Sequence, residues 1–143
     1  MARMTPEQMD TFFARTRQAI LLSLNADGSP DGVPVWFDWD GTSVRIFSGS
    51  GAEKIRRIAA DPRVAILVSN DVDEAPAWVR FEGRAQIDMD ADAKELAVDV
   101  LAPRYWDLSV PAYAAVVEQW AQAPGDAFVV ITLTPERIRS SAG

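Results

Sequence analysis

Alternating apolar and polar positions recur along the chain and predict a fold built mostly of β-strands. Six segments have this pattern or a short apolar run bounded by turn residues: Ala19–Leu24, Val33–Trp39, Thr42–Phe47, Arg63–Ser69, Trp78–Asp88 and Ala127–Leu133. The alternation is clearest between Val79 and Ile87, where every second residue is apolar or small and the residues between them are polar. This pattern is typical of a strand with one buried and one solvated face.

Turn signals between these segments predict hairpins. Asn25–Ser29 is a polar cluster containing glycine, and Asp40-Gly41 is a tight-turn dipeptide. Pro34 cannot donate a hydrogen bond, so its strand is not expected at a fully paired central position. Because hairpins dominate and regular strand–helix–strand alternation is missing, we expect an antiparallel sheet or barrel with flanking helices, forming one domain over residues 1–143.

Helical spacing and capping residues predict a few short helices. Thr5 and Gln8 fit the two polar positions of a capping box, with Pro6 at the first helical position. Further helices are expected at Ala52–Ala60, at Asp90–Leu101 with Asp90 as cap, and at Pro111–Trp120, where Tyr113, Val116, Val117 and Trp120 share one face. Pro103 is expected to stop the helix that begins at Asp90, and Thr134-Pro135-Glu136 to start a terminal helical turn.

Composition excludes several classes of function. The 143 residues include no cysteine and no histidine, which excludes disulfides, thiolate metal sites, histidine-based catalysis and ordinary histidine-ligated haem. The net charge of −7 argues against a nucleic-acid partner, whose affinity depends on basic surface. The N-terminus lacks the apolar region of a signal peptide and no apolar run reaches membrane-spanning length, so a cytoplasmic protein with no membrane partner is expected.

The segment from Gly49 to Lys54 follows a strand and opens a helix. Free backbone N–H groups at a helix start attract anions, and Lys54, Arg56 and Arg57 add three cations within one turn, which would suit a phosphate or carboxylate. The P-loop sequence and the third glycine of the dinucleotide motif are both missing. The alternative is an ordinary turn and a solvated helix in which Glu53 pairs with Arg57. Spacing alone does not decide between these interpretations.

Aromatic residues supply two further candidates. Pro34-Val35-Trp36, with the later Trp78, could form the walls of a site for a flat ligand, or could be core or dimer contacts. Tyr105-Trp106, between the two late helices, could cap a pocket or simply pack.

Charged residues supply two others. The cluster Asp71, Asp73 and Glu74 lacks the pattern of a calcium loop and is interpreted as a solvated turn, so no metal site is predicted. Arg80, Glu82 and Arg84 fit an ion-paired strand face.

The order and spacing of several short motifs resemble a known family. These motifs are Ala26–Pro30, Val33–Phe37, Trp39–Gly41, Ser48–Lys54, Ala60–Ile66, Phe81–Ala85 and Leu133–Ile138. Together they resemble the pyridoxamine-5′-phosphate-oxidase-like split β-barrel superfamily, and within it the branch of flavin/deazaflavin oxidoreductases that use coenzyme F420. The resemblance extends from about Ala19 to Ile138.

The resemblance implies a six-stranded antiparallel split barrel, of the FMN-binding type, that works as a homodimer with cofactor sites at the subunit interface. It implies that the cofactor ring lies against one strand, formed by Val33, Pro34, Val35 and Trp36, and that a turn approaches this ring, formed by Ser48, Gly49, Ser50 and Gly51. It implies that the helix start binds the phosphate and acidic tail through Lys54, Arg56 and Arg57. It also implies that Trp78 contributes to the site of the partner subunit.

The activity implied by the resemblance is transfer of a hydride from reduced F420 to an unsaturated small-molecule acceptor. Such chemistry needs no protein nucleophile, which agrees with a chain lacking histidine and cysteine. No catalytic acid or base is assigned, and a product proton would come from water or from Tyr105. Two alternatives remain: an FMN-dependent oxidoreductase of the same fold, and a cofactor-binding protein without catalysis.

Overall fold

The computed structural model describes residues 2–89 and 92–143. The strands are β1 (Ala19–Leu24), β2 (Pro30–Val35), β3 (Asp38–Trp39), β4 (Val44–Gly49), β5 (Arg63–Ser69), β6 (Ala77–Asp88), β7 (Phe128–Leu133) and β8 (Arg137–Ala142). The helices are α1 (Pro6–Ala14), α2 (Glu53–Ala60), a π-helix (Glu95–Leu101), α3 (Ala102–Tyr105) and α4 (Pro111–Gln122). Within these described ranges, no helix is both long and apolar enough to span a membrane.

All strand pairings in the described chain are antiparallel, and β6 joins the two halves of the sheet. Its first half pairs with β8 and its last residues pair with β7, while β5 runs along its other edge. The strand order is β2-β1-β5-β6-β7-β4-β3, with β8 added to β6. The sheet curls into the predicted split barrel, and the edge position of β2 agrees with the limit that Pro34 sets.

The described residues form eight strands where the sequence predicts six, and both extra strands have a local cause. The predicted strand Val33–Trp39 is divided into β2 and β3 by a break after Val35. The predicted helical turn at Thr134-Pro135-Glu136 is wrong, because the chain continues as β8. The N–H of Glu136 donates to the carbonyl of Glu82 (2.9 Å), and β8 then pairs with the first half of β6, whose backbone groups would otherwise lack partners on that edge.

Capping confirms one predicted helix and corrects another. Thr5 and Gln8 form the predicted reciprocal capping box of α1. Pro103 does not stop the late helix, which continues to Tyr105. The preceding turn is π-helical and Pro103 lies near the first position of α3, where a missing N–H costs little. Asp90, the expected cap, lies outside the described residues.

The sheet buries apolar side chains on both faces, which explains why β7 is buried at consecutive positions. The inner face holds the larger core, where Leu21, Ile66, Phe81 and Leu133 are fully buried and α1 and α2 cover it with Phe12 and Ile58. The outer face of β4 and β7 packs against the late helices, which are the π-helix, α3 and α4, through Phe47, Val130 and Leu96. The late helices therefore lie beside the strand ends that carry the predicted site.

Candidate functional site

A cleft of about 310 Å³ lies between β2, β4, the start of α2 and the late helices. Its lining consists of Gln18, Pro34, Val35, Trp36, Phe47, Ser48, Gly49, Lys54, Trp106 and Trp120. Six of these residues belong to the predicted cofactor site: Pro34, Val35, Trp36, Ser48, Gly49 and Lys54. The structure thus brings together the strand, the turn and the first lysine of the helix, which are separated by up to 20 positions in the sequence.

The turn between β4 and α2 is held by its own backbone. The N–H of Ser50 donates to the carbonyl of Ala127 (2.9 Å), and the N–H of Ala52 donates to the carbonyl of Gly49 (3.1 Å). Ala52 is the N-cap of α2, and no side chain of residues 2–89 and 92–143 accepts a hydrogen bond from the first N–H groups of this helix. These N–H groups form the positive end of the helix dipole, so they would attract an anion.

Among the described residues, Lys54 is the one charged side chain in the lining of the cleft. It is half buried, and no salt bridge or hydrogen bond to it occurs within residues 2–89 and 92–143. Burial lowers the pKa of Lys54 from its ordinary 10.5, and the positive charge of Arg57 lowers it further. An ammonium held without an acidic partner at the apolar wall of a cleft is a site for an anionic group.

The two arginines that follow Lys54 are already paired. Arg56 points to solvent, with 74% of its side chain exposed, and pairs with Glu53. Arg57 reaches across to the β1–β2 hairpin, where it pairs with Asp31 (2.8 Å) and donates to the hydroxyl of Ser23 (3.2 Å). The alternative pairing of Glu53 with Arg57 is therefore wrong, and neither arginine lines the cleft.

The remaining predicted site residues also lie outside the lining of the cleft. Val33 packs against the inner core, and Ser50 and Gly51 continue the turn beyond Gly49. Trp78 lines a different cavity, together with Arg3 and the segment Glu136–Ser140. Within one chain, Trp78 and Trp36 therefore do not share a site.

The late helices supply a wall of the cleft that the family motifs do not contain. Trp106 follows α3 and Trp120 lies on α4, and both rings contact the ring of Trp36, at centroid distances of 4.8 Å and 6.0 Å. The sequence signal was present, because Trp120 is on the predicted apolar face of its helix and Trp106 was a candidate for capping a pocket. The spacing of these two residues in the sequence does not show that both indoles contact Trp36.

Tyr105 is fixed by two backbone groups and is not placed to donate a proton to the cleft. Its hydroxyl donates to the carbonyl of Arg17 (2.6 Å) and accepts from the N–H of Phe37 (3.2 Å), and its ring stacks on Trp36. Burial raises the pKa of Tyr105 above its ordinary 10.0. Tyr105 therefore links α3 to the segment that precedes β1 and to the segment between β2 and β3.

The acidic cluster of Asp71, Asp73 and Glu74 faces arginines. Its carboxylate oxygens lie close enough together for a metal ion, but Arg15 contacts all three residues at 3.1–3.6 Å. The buried Arg17 binds Glu74 with two hydrogen bonds and holds the pKa of that carboxyl at about 2. Two guanidinium groups oppose a further cation, so this turn is an ion-paired structural element.

Fold and site together define a split-barrel protein with an aromatic cleft that ends in a lysine unpaired within the described part of the chain. The chain belongs to the pyridoxamine 5′-phosphate oxidase family, whose sequence profile matches residues 5–142.

The chain is also similar to a characterised reductase and, in fold, to solved structures. The chain is 35% identical over 96 residues to an F420H2-dependent biliverdin reductase of Mycobacterium tuberculosis (strain CDC 1551 / Oshkosh), covering 66% of this chain and 67% of that protein. Among solved structures, a conserved hypothetical protein from Mycobacterium tuberculosis matches 97% of this chain and 85% of its own, with a TM-score of 0.71 and 21% identity. An F420 reductase matches 94% and 98%, with a TM-score of 0.63 and 24% identity.

Proposed function

We propose that this protein is a cytoplasmic F420H2-dependent reductase, which transfers a hydride from reduced deazaflavin to an unsaturated small molecule. The proposal is supported by the relative that is an F420H2-dependent biliverdin reductase and by family membership. The observation that carries it is Lys54, a half-buried cation that has no partner among the described residues and lies beside the uncapped start of α2. A phosphate of the cofactor would supply the missing negative charge.

The residues of the cleft fit such a cofactor in a simple way. Lys54 and the N–H groups at the start of α2 hold the phosphate, and the exposed Pro34 offers an apolar strand surface for the ring, whereas the side chain of Val35 is buried in the inner core. When bound, reduced deazaflavin supplies the hydride, and the protein supplies position and exclusion of water. No carboxylic acid lines the cleft within the described residues, so water is the expected source of a product proton.

FMN is the second candidate cofactor, because the family profile is that of a pyridoxamine 5′-phosphate oxidase. FMN also combines a flat ring with a phosphate, so Lys54 and the α2 start would serve it equally. The F420 proposal is preferred because the 35% identical relative uses F420H2.

Direct titration separates the candidate cofactors. We expect purified protein to bind F420 more tightly than FMN, with quenching of tryptophan fluorescence because two indoles beside Trp36 line the cleft. Reduced F420 should then be oxidised when a conjugated acceptor such as menadione is added and takes up the hydride, measured as a gain in the absorbance of oxidised deazaflavin. Tight FMN binding without an F420 response would support the second candidate. Binding without turnover would support a cofactor carrier, and no binding would refute all three.

We further propose that the functional unit is a homodimer in which Trp78 completes the partner's site. The proposal rests on the family resemblance and on the position of Trp78 away from the cleft of its own chain. Mixing the Lys54→Ala and Trp78→Ala proteins tests it, because a mixed dimer contains one site with both defects and one intact site.

If Trp78 acts across the interface, random mixing restores cofactor binding in about a quarter of all sites, although each variant alone is defective. Refolding the two variants together and titrating F420 measures this fraction. Light scattering checks that the mixed protein is dimeric. If it is dimeric and mixing restores no F420-binding sites, Trp78 lies outside the partner's site.

A further inference from the structure

Trp106 is held between two other rings. Tyr113 and Trp120 lie seven residues apart on α4, roughly 10 Å along the helix axis. Each stacks nearly parallel to Trp106, at centroid distances of 5.0 Å and 5.7 Å. One ring therefore covers each face of the Trp106 indole, and only its edge remains available to other groups.

Trp36 is covered in a similar way. Tyr105 stacks on one face at 4.8 Å with an interplanar angle of 9°, which leaves no room for a second ring on that face. Trp106 is also 4.8 Å away but perpendicular, at 88°. Because both faces of Trp106 are occupied, it contacts the second face of Trp36 with one part of its edge, and it lines the cleft with the rest. A flat ligand therefore cannot stack on either indole.

The edges of these indoles carry free hydrogen-bond donors. Within the described part of the chain, neither indole N–H of Trp36 or Trp106 has a hydrogen-bond acceptor, and neither nitrogen is sealed from solvent. Buried or half-buried tryptophans usually find a partner for this N–H. The lining includes no carboxylate from the described residues, so the side-chain acceptors that line the cleft there are neutral.

We infer that the indole edges of Trp36 and Trp106 form a hydrogen-bonding wall that recognises the oxygen or nitrogen acceptors along one edge of a flat conjugated heterocycle. The heterocycle lies on Pro34, its edge meets the two indoles, and its phosphate end meets Lys54. The inference rests on the proposed function and deepens it. It assigns ring recognition to a late-helix residue, whereas the family motifs place it on the strand.

The test uses two ligands that share one ring. F420 and its phosphate-free ring-and-ribityl fragment are titrated into the wild type and into Trp106→Phe; FMN and riboflavin replace them if FMN proves to be the cofactor. Phenylalanine keeps a ring between Tyr113 and Trp120 but removes the N–H. We expect it to weaken both ligands by the same factor, about three- to tenfold. Lys54→Ala should weaken only the ligand that carries a phosphate.

Tyr113→Phe is the matched control, because it keeps the stacking ring and changes no group that lines the cleft. Equal affinity of Trp106→Phe and the wild type would overturn the inference and leave the proposed function intact. A wild type that binds none of the ligands would refute the proposed function first.

If the Trp106→Phe protein fails to fold, a second measurement, made on the wild type, tests the inference. The wild type contains five tryptophans, and labelling their indole nitrogens with ¹⁵N gives five N–H signals in NMR spectra. Saturation with the phosphate-free ligand should shift the Trp106 signal and leave that of Trp39, which does not line the cleft, in place. An unshifted Trp106 signal at saturation would overturn the inference.

Discussion

Replacing Lys54 with alanine is expected to weaken cofactor binding by about 10- to 100-fold, which corresponds to one hydrogen bond to a charged group. The size of the effect follows from the setting: the ammonium is half buried, lies in the lining of the cleft and has no acidic partner in the described chain. Isothermal titration of F420, or of FMN, into both proteins measures the change.

Arg56→Ala is the matched control for Lys54→Ala. Arg56 is two residues away on the same helix, but its side chain is 74% exposed and paired with Glu53, so its loss should change affinity by less than about twofold. Arg57→Ala is unsuitable as a control because it breaks the contacts with Asp31 and Ser23. An Arg56→Ala effect as large as that of Lys54→Ala would place the anion on the outer face of α2.

The binding has an expected pH dependence with a definite sign. Only the protonated ammonium attracts an anion, and burial holds the pKa of Lys54 below 10.5. Affinity should therefore fall as the pH rises through this lowered pKa, at a lower pH than an ordinary lysine would give. Lys54→Ala should lack this decline, and titrations repeated at increasing pH compare the two proteins.

Local patterns in the sequence predict those parts of the fold that depend on neighbouring residues. The capping box of Thr5 and Gln8 and the tight turn at Asp40-Gly41 are both present, with Gly41 at a φ of 93° that suits glycine. Segments whose structure depends on distant partners were less predictable. Thr134-Pro135-Glu136 has a good helix-start pattern, but pairing with β6 determines its structure instead.

The same distinction applies to the site. Pro34, Ser48 and Lys54 share a cleft as the family resemblance implies, because each lies at the end of a predicted element. The pairing of Arg57 with Asp31 joins residues 26 positions apart, and no local spacing indicates it. The positions of Trp106 and Trp120 in the cleft could not be predicted locally, because they depend on how the late helices pack on β4 at the outer face of the sheet.

Gly83 marks the point at which β6 changes partners. Residues before it pair with β8, and residues from Ala85 onward pair with β7. A β-carbon at position 83 would lie 3.1 Å from a methyl group of Leu133 and 3.2 Å from the backbone nitrogen of Glu136. Leu133 is fully buried, and the N–H of Glu136 is hydrogen-bonded to Glu82, so neither neighbour can move freely.

Replacing Gly83 with alanine is therefore expected to destabilise the fold by about 2 kcal/mol, in the usual range for overpacking, and valine should cost more. The melting temperature would fall by roughly 4–8 °C for alanine. Gly125→Ala is the matched control, because a β-carbon there has nothing within 4 Å. Calorimetry on the three variants tests the prediction. A Gly83→Ala protein as stable as the wild type would contradict the prediction, because Leu133 and Glu136 could then move away from position 83 without loss of stability.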